Sequence, residues 1–287
     1  MSLLSVRDLV YTYSQGTPYE HIAVNQLNFD IEKGEFVGII GHTGSGKSTL
    51  VQMINGLLKP TLGTIMLDGV NIWDKPKEIR KIRFRVGLVF QYPEYQLFEE
   101  TVAKDIAFGP TNMGLSEDKI KERVRSAAKF VGLKPELLEK SPFDLSGGEK
   151  RRAAIAGVIA MDPDILILDE PCAGLDPLGR DILLSQLYNY HKERGNTVIF
   201  VSHSMEDVAT VCDRVMVMNH ARLEMFDTAE NIFSRGDELS KMGLRVPQIT
   251  SIIDDLIAAG IPLNKGVLTV DKAVLGIIEY LKKEGRL

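Results

Sequence analysis

A glycine-rich stretch from Gly41 to Thr49 has the residue types and spacing of a phosphate-binding loop. It reads Gly-His-Thr-Gly-Ser-Gly-Lys-Ser-Thr, which fits the P-loop pattern G-x-x-x-x-G-K-[ST]. Its glycines let successive backbone N–H groups turn inward and form an anion site, to which a following helix adds its positive end. Lys47 can then reach the β- and γ-phosphates of a nucleotide, and the Ser48 hydroxyl can ligate Mg²⁺.

The residues on either side predict the strand and the helix that a P-loop requires. Glu35–Ile40 is a short apolar run typical of a buried strand, and Lys47–Gly56 has helical spacing that ends at a glycine. A dinucleotide-binding turn would need G-x-G-x-x-G, which the stretch lacks. The loop residues expected to bind nucleotide are Gly41, His42, Thr43, Gly44, Ser45, Gly46, Lys47, Ser48 and Thr49.

Two other apolar runs lead into polar side chains suited to phosphoryl transfer. Ile165–Leu168 is followed by Asp169 and Glu170, and Thr197–Val201 is followed two residues later by His203. Open α/β sheets present functional groups at the carboxyl ends of their strands. We therefore predict that Asp169 is a Mg²⁺-linked acid and that Glu170 orients water, while His203 has either a catalytic or a structural role.

A second anion site is predicted at Leu145–Glu149, where a helical run begins. Ser146 and Glu149 have the S-x-x-E spacing of a capping box, which marks a helix start. Gly147 and Gly148 leave the N–H groups of the first turn unobstructed. By itself the pattern is equally compatible with an ordinary capped helix.

The N-terminal residues 3–30 alternate apolar and polar side chains and contain a turn at Ser14–Pro18, so antiparallel strands are expected. Tyr13 lies at the end of the first strand. It either packs against its neighbours or stacks on a nucleotide base, a contact worth about 1–3 kcal/mol in comparable sites.

The composition is that of an ordinary globular protein and argues against a dedicated nucleic-acid binder. The 287 residues are 44% hydrophobic and 25% charged, with a net charge of −5. A basic stretch over residues 75–85 is interleaved with apolar residues, and we interpret it as a solvated helix face rather than a nucleic-acid patch. No apolar run is long enough to span a bilayer, no signal peptide is recognisable, and Cys172 and Cys212 form no disulfide framework. A cytosolic location is expected, with any membrane role supplied by partners.

The chain is predicted to contain one large domain over residues 1–230 and a small accessory domain over residues 231–287. A helical insertion occupies about residues 91–162, including a helix that starts at Ser116. The accessory part is predicted to be α+β. Its expected elements are a linker at Arg235–Asp237, a helix over Val246–Gly260, a strand over Gly266–Val270 and a final helix.

Together these motifs resemble the ATP-binding-cassette (ABC) ATPases over roughly residues 1–230. The P-loop, Gln91, the Leu145–Glu149 signature, the Ile165–Glu170 Walker B segment, Asp176 and His203 occur in the family's order. The resemblance implies an α/β fold with a mixed sheet core, an antiparallel β subdomain and a helical subdomain. It also implies ATP as ligand, Tyr13 stacking on adenine, and Asp176 in the D-loop.

A narrower resemblance concerns Phe90–Phe98 and Ala107–Pro110, which look like the ATPase subunits of energy-coupling factor (ECF) transporters. The segment Tyr92–Phe98, called the docking segment below, is expected to contact a membrane subunit, with Glu94 contributing. Tyr92-Pro-Glu-Tyr95 looks more like the second of the two paralogous ECF ATPases. The implied function is ATP hydrolysis that powers uptake of vitamins, or of cobalt or nickel.

The resemblance further implies that two cassettes pair head-to-tail, so that Ser146, Gly147, Gly148 and Glu149 of one cover the ATP held by the other. Lys47, Glu170 and His203 would be catalytic, and Ser48, Gln91 and Asp169 would contact Mg²⁺ or its waters. The expected partners are a second ATPase (a copy or a paralogue), a transmembrane coupling subunit and a substrate-binding membrane subunit, with no nucleic acid. The expected location is peripheral, on the cytoplasmic face of a prokaryotic cell membrane.

Other classes remain as alternatives at this point. The chain could serve another ABC importer, or it could be a soluble ABC protein, although those usually carry a coiled coil or a second cassette. A P-loop kinase or GTPase lacks support because no N-K-x-D motif is present. Cys172 departs from the family pattern, which usually has Thr or Ser after the proline, and raises the question of thiol sensitivity.

Overall fold

The structure is a computed structural model that describes residues 2–285. In that range the strands are β1 (Ser2–Tyr13), β2 (His21–Glu32), β3 (Phe36–Ile40), β4 (Leu62–Leu67), β5 (Val70–Asn71), β6 (Val86–Val89), β7 (Ile165–Asp169), β8 (Thr197–Val201), β9 (Arg214–Asn219) and β10 (Arg222–Thr228). The α-helices are α1 (Lys47–Ile54), α2 (Ile79–Arg85), α3 (Val102–Asn112), α4 (Glu117–Phe130), α5 (Gly147–Ile159), α6 (Pro177–Arg194), α7 (Met205–Val211), α8 (Ala229–Phe233), α9 (Gly236–Lys241), α10 (Gln248–Ala258) and α11 (Val270–Lys283).

A six-stranded mixed sheet brings the predicted functional segments together. Its strand order is β10-β9-β3-β8-β7-β6, with β3, β6, β7, β8 and β9 parallel and β10 antiparallel to β9. Val201 of β8 pairs with both Ile39 of β3 and Asp169 of β7. The carboxyl ends of these three strands therefore lie side by side, and the P-loop, the Walker B acids and His203 follow them.

The short apolar runs of this sheet are explained by burial on both faces, as expected for parallel strands between two layers. Val37 and Ile39 of β3 face a hydrophobic cluster that includes α1 and the N-terminal strands. Phe36 and Ile40, alternate residues of the same strand, face a second cluster built mainly by helices. Successive side chains of β3 therefore point to opposite faces of the sheet, each face covered by one of the two clusters.

The predicted N-terminal antiparallel strands are present as β1 and β2. They form a second sheet in the order β2-β1-β4-β5. This sheet packs on the mixed sheet, where the rings of Phe29 and Phe226 meet edge to face at 6.2 Å. Tyr13 is the last residue of β1, and it lies beside the P-loop.

The predicted helical insertion contains α3, α4 and α5. Thr101 caps α3 by accepting a hydrogen bond from the backbone N–H of Lys104 at 3.2 Å. Ser116 occupies the predicted N-cap position of α4, but its side chain makes no capping hydrogen bond. Val124, Ala127 and Ala128 of α4 are buried against α3 and α5, which closes the insertion around its own apolar face. No helix within residues 2–285 is long and apolar enough to cross a membrane.

The basic stretch is largely the helix α2, and its arginines contact this chain's own surface. Arg85 donates to Asp164 at 2.6 Å and pairs with Asp68. Arg80 donates to Asn112 at 2.6 Å. These guanidinium groups therefore connect α2 to other segments of the same domain.

Two predictions for the C-terminal part are wrong. Residues 235–237 do not form a linker, because α9 begins at Gly236. Leu239 of α9 is fully buried in the main domain, in the hydrophobic cluster that is built mainly by helices. Gly266–Val270 does not form a strand: Thr269 caps α11, and the Val267 carbonyl accepts from the Thr250 hydroxyl at 2.6 Å instead of pairing in a sheet. The predicted helix over Val246–Gly260 is observed as α10.

We expect Leu239→Ala to lower the free energy of unfolding by about 2–5 kcal/mol, because it opens a cavity in a core that α9 shares with the central sheet. Leu62→Ala is the matched control, since Leu62 is 65% exposed, and should change stability by no more than about 0.5 kcal/mol. Urea unfolding followed by circular dichroism measures both. If Leu239→Ala changed the free energy of unfolding as little as Leu62→Ala, α9 would not be part of the shared core.

Candidate active site

The P-loop connects β3 to α1 in a conformation that requires its glycines. Gly46 has φ +100°, and a Cβ at this position would overlap the carbonyl oxygen of Ala23. Gly41 is similarly restricted by the carbonyl oxygen of Met218. The first turn of α1 has no side-chain cap, so its N–H groups point into the loop and are available to an anion.

Lys47 is buried at the centre of this loop. Its Nζ donates to the carbonyl oxygens of Gly41 at 2.7 Å and His42 at 2.8 Å. Burial lowers the pKa of Lys47, against the opposing effect of the Glu170 and Asp169 carboxylates. The ammonium group is thus fixed between the loop backbone and two acids.

Asp169 and Glu170 differ in environment although they are adjacent. Asp169 ends β7 and is buried; burial raises its pKa, against a hydrogen bond from the Ser48 hydroxyl. Glu170 follows with φ +52°, which turns the chain out of the sheet. Burial raises the pKa of Glu170 to about 7, a value suited to a general base near neutral pH.

His203 contacts Glu170 twice. Its backbone N–H donates to Oε2 at 3.4 Å, and its Nε2 lies 3.2 Å from Oε1. Oε1 is buried and has no hydrogen-bond partner among the described residues. Burial and the Lys47 charge lower the pKa of His203, so the imidazole is neutral at neutral pH and can accept or donate at this carboxylate.

A cleft of about 380 Å³ collects most of the predicted nucleotide-binding and metal-binding residues. Tyr13 lies at its edge, 38% exposed, with its hydroxyl 3.2 Å from the Thr49 hydroxyl. The predicted residues that line the cleft are Tyr13, Thr43, Gly44, Gly46, Lys47, Ser48, Thr49, Gln91, Asp169, Glu170 and His203. His21 and Ala23, which were not predicted, also line it.

Three predicted loop residues lie outside this cleft. Gly41 packs under the loop, and the hydroxyl of Ser45 is buried. The His42 side chain points away and forms a hydrogen bond with the Met242 carbonyl through Nε2. Their placement indicates a role in shaping the loop and attaching it to the C-terminal part.

The signature residues also lie outside the cleft of their own chain. Ser146 and Glu149 form the predicted capping box, in which Glu149 Oε2 accepts from the Ser146 N–H at 2.9 Å. Asp176 caps α6 through the Gly179 N–H at 2.9 Å. The exposed start of α5 therefore places the N–H groups of its first turn at the surface, outside the cleft of its own chain.

Sequence reasoning missed the role of Arg151, a buried cation on α5. Its guanidinium holds the Glu94 carboxylate and the carbonyls of Pro171 and Ala173, directly after Glu170. Arg151, Ile155 and Ile159 recur at four-residue spacing on one buried face. A charged residue on an apolar helix face was the available signal.

Comparison with known proteins agrees with this geometry. The model of the ABC transporter family matches residues 24–173. The chain is 53% identical over 279 residues to the energy-coupling factor transporter ATP-binding protein EcfA2 of Caldanaerobacter subterraneus, covering 97% of this chain and 98% of that protein. It is 52% identical over 280 residues to EcfA2 of Clostridium perfringens, with the same coverages.

Solved structures give the same result. The structure of cbiO1 from Clostridium perfringens, part of the ABC transporter complex cbiONQ, matches with a TM-score of 0.75 and 41% identity over 88% of this chain and 99% of that one. The dimeric ABC cassette MJ0796 bound to ADP and Pi matches with a TM-score of 0.71 and 28% identity, over 78% of this chain and 98% of that one. The predicted resemblance, including that to the second ECF ATPase, is confirmed by relatives that carry the name EcfA2. The chain therefore belongs to the ABC transporter family and, within it, to the energy-coupling factor transporter ATP-binding proteins.

Proposed function

We propose that the chain hydrolyses ATP as one half of a head-to-tail cassette pair and thereby powers an ECF-type importer. One observation carries the proposal. The lysine, both acids and His203 converge in one cleft, whereas the N–H groups of the signature helix lie outside it. Each chain would hold the reacting groups for one ATP and provide the lid for another.

In this cleft the side chains would divide the work of hydrolysis. Lys47 and the N–H groups of α1 would neutralise charge on the phosphates. Glu170 would take the proton of the attacking water, since its pKa of about 7 leaves it able to act near neutral pH. His203, within 3.2 Å of Glu170, would orient that carboxylate and contact the γ-phosphate. Tyr13 would stack on adenine at the open edge.

The cleft also fits Mg²⁺. Ser48, Asp169 and Gln91 offer the hard oxygen donors that Mg²⁺ prefers, and Ser48 and Asp169 are already hydrogen-bonded to each other. Within residues 2–285 no group of three or more His, Cys, Asp or Glu side chains could hold a metal by itself. This suits an ion held mainly by substrate phosphates and waters, which would supply charge neutralisation at the β- and γ-phosphates.

Several partners belong to the proposal. The relatives are named as parts of energy-coupling factor transporters, and cbiO1 as part of the cbiONQ complex. By extension, this chain would pair with a second ATPase (a copy or a paralogue) on the cytoplasmic face of a prokaryotic membrane, beside a transmembrane coupling subunit and a substrate-binding membrane subunit. Residues 231–287 would help to pair the two ATPases.

The docking segment borders a groove of about 540 Å³ whose wall includes Phe98 and Phe108. Their rings meet edge to face at 5.0 Å and both are exposed. Tyr95 is 85% exposed nearby. Glu94, however, is paired with Arg151, so reversing its charge would break an internal ion pair and would not report on docking. The exposed aromatic residues are the candidates for membrane-subunit contact.

The rate of hydrolysis should depend on the protonation of Glu170. A base acts only when ionised, so a pKa of about 7 means that kcat/KM for MgATP falls as pH drops below 7, about tenfold per unit. Steady-state assays from about pH 5.5 to about pH 8.5, roughly one and a half units on each side of this pKa, measure the pH dependence of kcat/KM. Glu170→Gln is the control: it should bind ATP and almost stop turnover. Normal hydrolysis by that variant would show that Glu170 is not the general base.

Ser146→Arg should block turnover at the pocket that this residue covers on the partner, by about 100-fold or more, because a donor set for the γ-phosphate is lost. Binding of MgATP to the variant's own cleft should persist, since Ser146 does not line it. Ser116→Arg is the control, at another exposed helix start of the same subdomain. A strictly monomeric Ser146→Arg preparation with full activity would refute the paired site.

Isolation of the chain from membranes in mild detergent should bring along a second cassette and membrane subunits, which mass spectrometry identifies. Tyr95→Ala should weaken retention of the transmembrane subunit about 5- to 30-fold, as for a truncated interface aromatic, while keeping the second cassette. Tyr19→Ala is the matched control, because Tyr19 is 84% exposed on the turn between β1 and β2. Equal retention by both variants would count against the docking segment, and absence of membrane subunits from the wild type would count against the importer.

A further inference from the structure

The guanidinium of Arg151 joins three segments that are distant in sequence. Nε donates to Glu94 Oε2 at 3.0 Å and Nη2 donates to Oε1 at 2.7 Å, a two-point ion pair. Nη1 donates to the Pro171 carbonyl at 3.2 Å and also to the Ala173 carbonyl. The Arg151 side chain is 5% exposed and that of Glu94 is 16% exposed, so water competes little for these bonds.

Each of the three segments has a separate task. Arg151 lies on α5, in the second turn after the signature cap. Glu94 lies in the docking segment, within a short 3₁₀ turn that follows Tyr92, a residue held at φ +56°. The Pro171–Ala173 backbone follows Glu170 directly and leads to the cap of α6 at Asp176. One side chain therefore touches the docking segment, the signature helix and the loop that carries the base.

Both partners of the ion pair are charged. Burial raises the pKa of Glu94, but the hydrogen bond from Arg151, a backbone hydrogen bond and the Arg151 charge together outweigh burial and bring this pKa below its usual value. A guanidinium is planar, so its donors keep fixed relative directions. If the carboxylate on one edge moves, the bonds to the carbonyls on the other edge must move or break. A lysine has a single ammonium group and could not hold both edges in this way.

We infer that Arg151 is a positioning residue through which the location of the docking segment sets the loop that holds Glu170. The inference deepens the proposed function and rests on it, because it assigns a path between the membrane contact and the base. Among the described residues, the hydrogen bonds of Arg151 go to Glu94, Pro171 and Ala173, and none of these three lines the ATP cleft. The effect of Arg151 therefore falls on turnover and not on ATP affinity.

The test uses the complex purified with its membrane subunits and the cassette pair without them. Hydrolysis is measured in both, and the ratio of the two rates is the stimulation by the membrane subunits. Arg151→Lys and Glu94→Gln should each lower kcat at least about tenfold in the complex and bring the stimulation towards one, with KM for ATP within about twofold of wild type. The double variant should be no worse than the poorer single variant, because both remove one shared interaction.

Arg123→Lys is the matched control, since Arg123 pairs with Asp162 at 2.7 Å in the same helical region, and this ion pair includes no residue of the docking segment or of the Glu170 loop. It should keep wild-type kcat and stimulation. Three results would overturn the inference: unchanged kcat and stimulation in Arg151→Lys, a loss of kcat matched by an equal rise in KM, or additive effects in the double variant. Should Arg151→Lys fail to fold, the isosteric Glu94→Gln decides alone by the same criteria.

The wild-type complex separates the two possible failures. If membrane subunits leave its hydrolysis rate unchanged, the proposed importer function fails. If they stimulate the wild type and stimulate Glu94→Gln and Arg151→Lys equally well, the importer function stands and the assignment of Arg151 is wrong.

Discussion

The site depends on how the negative charge of two adjacent carboxylates, Asp169 and Glu170 at the end of β7, is compensated. Burying an ionised carboxylate costs several kcal/mol unless charges and hydrogen bonds compensate. Lys47 supplies the charge, the Ser48 hydroxyl bonds Asp169, and the His203 N–H reaches Glu170. The compensation is partial, because burial still raises the pKa of Glu170 to about 7. Its Oε1 is buried, with His203 Nε2 at 3.2 Å. These properties suit the general base that we propose.

Two arginines hold the residues that follow Glu170 and His203. Arg151 holds its Pro171 and Ala173 carbonyls, and Arg180, one turn into α6, pairs with the buried Asp207 and donates to Ser204 at 2.7 Å. Ser204 follows His203 and caps α7. Glu170 and His203 are thus each followed closely by residues that an arginine holds. These short contacts connect α5 and α6 directly to the segments that carry Glu170 and His203, without a chain of flexible side chains between them.

Local patterns predicted the parts of the site that a single segment builds. The P-loop, the two acids and His203 follow buried parallel strands, so their convergence could be inferred from strand ends alone. The Glu94–Arg151 pair could not be inferred, because it joins residues 57 positions apart and depends on how the docking segment packs on α5. The predicted strand at Gly266–Val270 was wrong because apolar residues followed by a threonine also describe a helix cap, and Thr269 forms that cap. Likewise, Leu239 turned an expected linker into a packed helix, since burial in a distant core overrides local composition.

Cys172 is the clearest departure from the family pattern, and its surroundings explain why the change is tolerated. Its neighbours Pro171 and Ala173 are held by their backbone carbonyls, so the bonds to Arg151 do not depend on the side chain between them. Burial raises the pKa of the Cys172 thiol to about 12. The thiolate is the reactive form of cysteine, and at neutral pH this side chain stays protonated. Burial and protonation therefore lower the reactivity of this thiol, which argues against the thiol sensitivity that the sequence suggested.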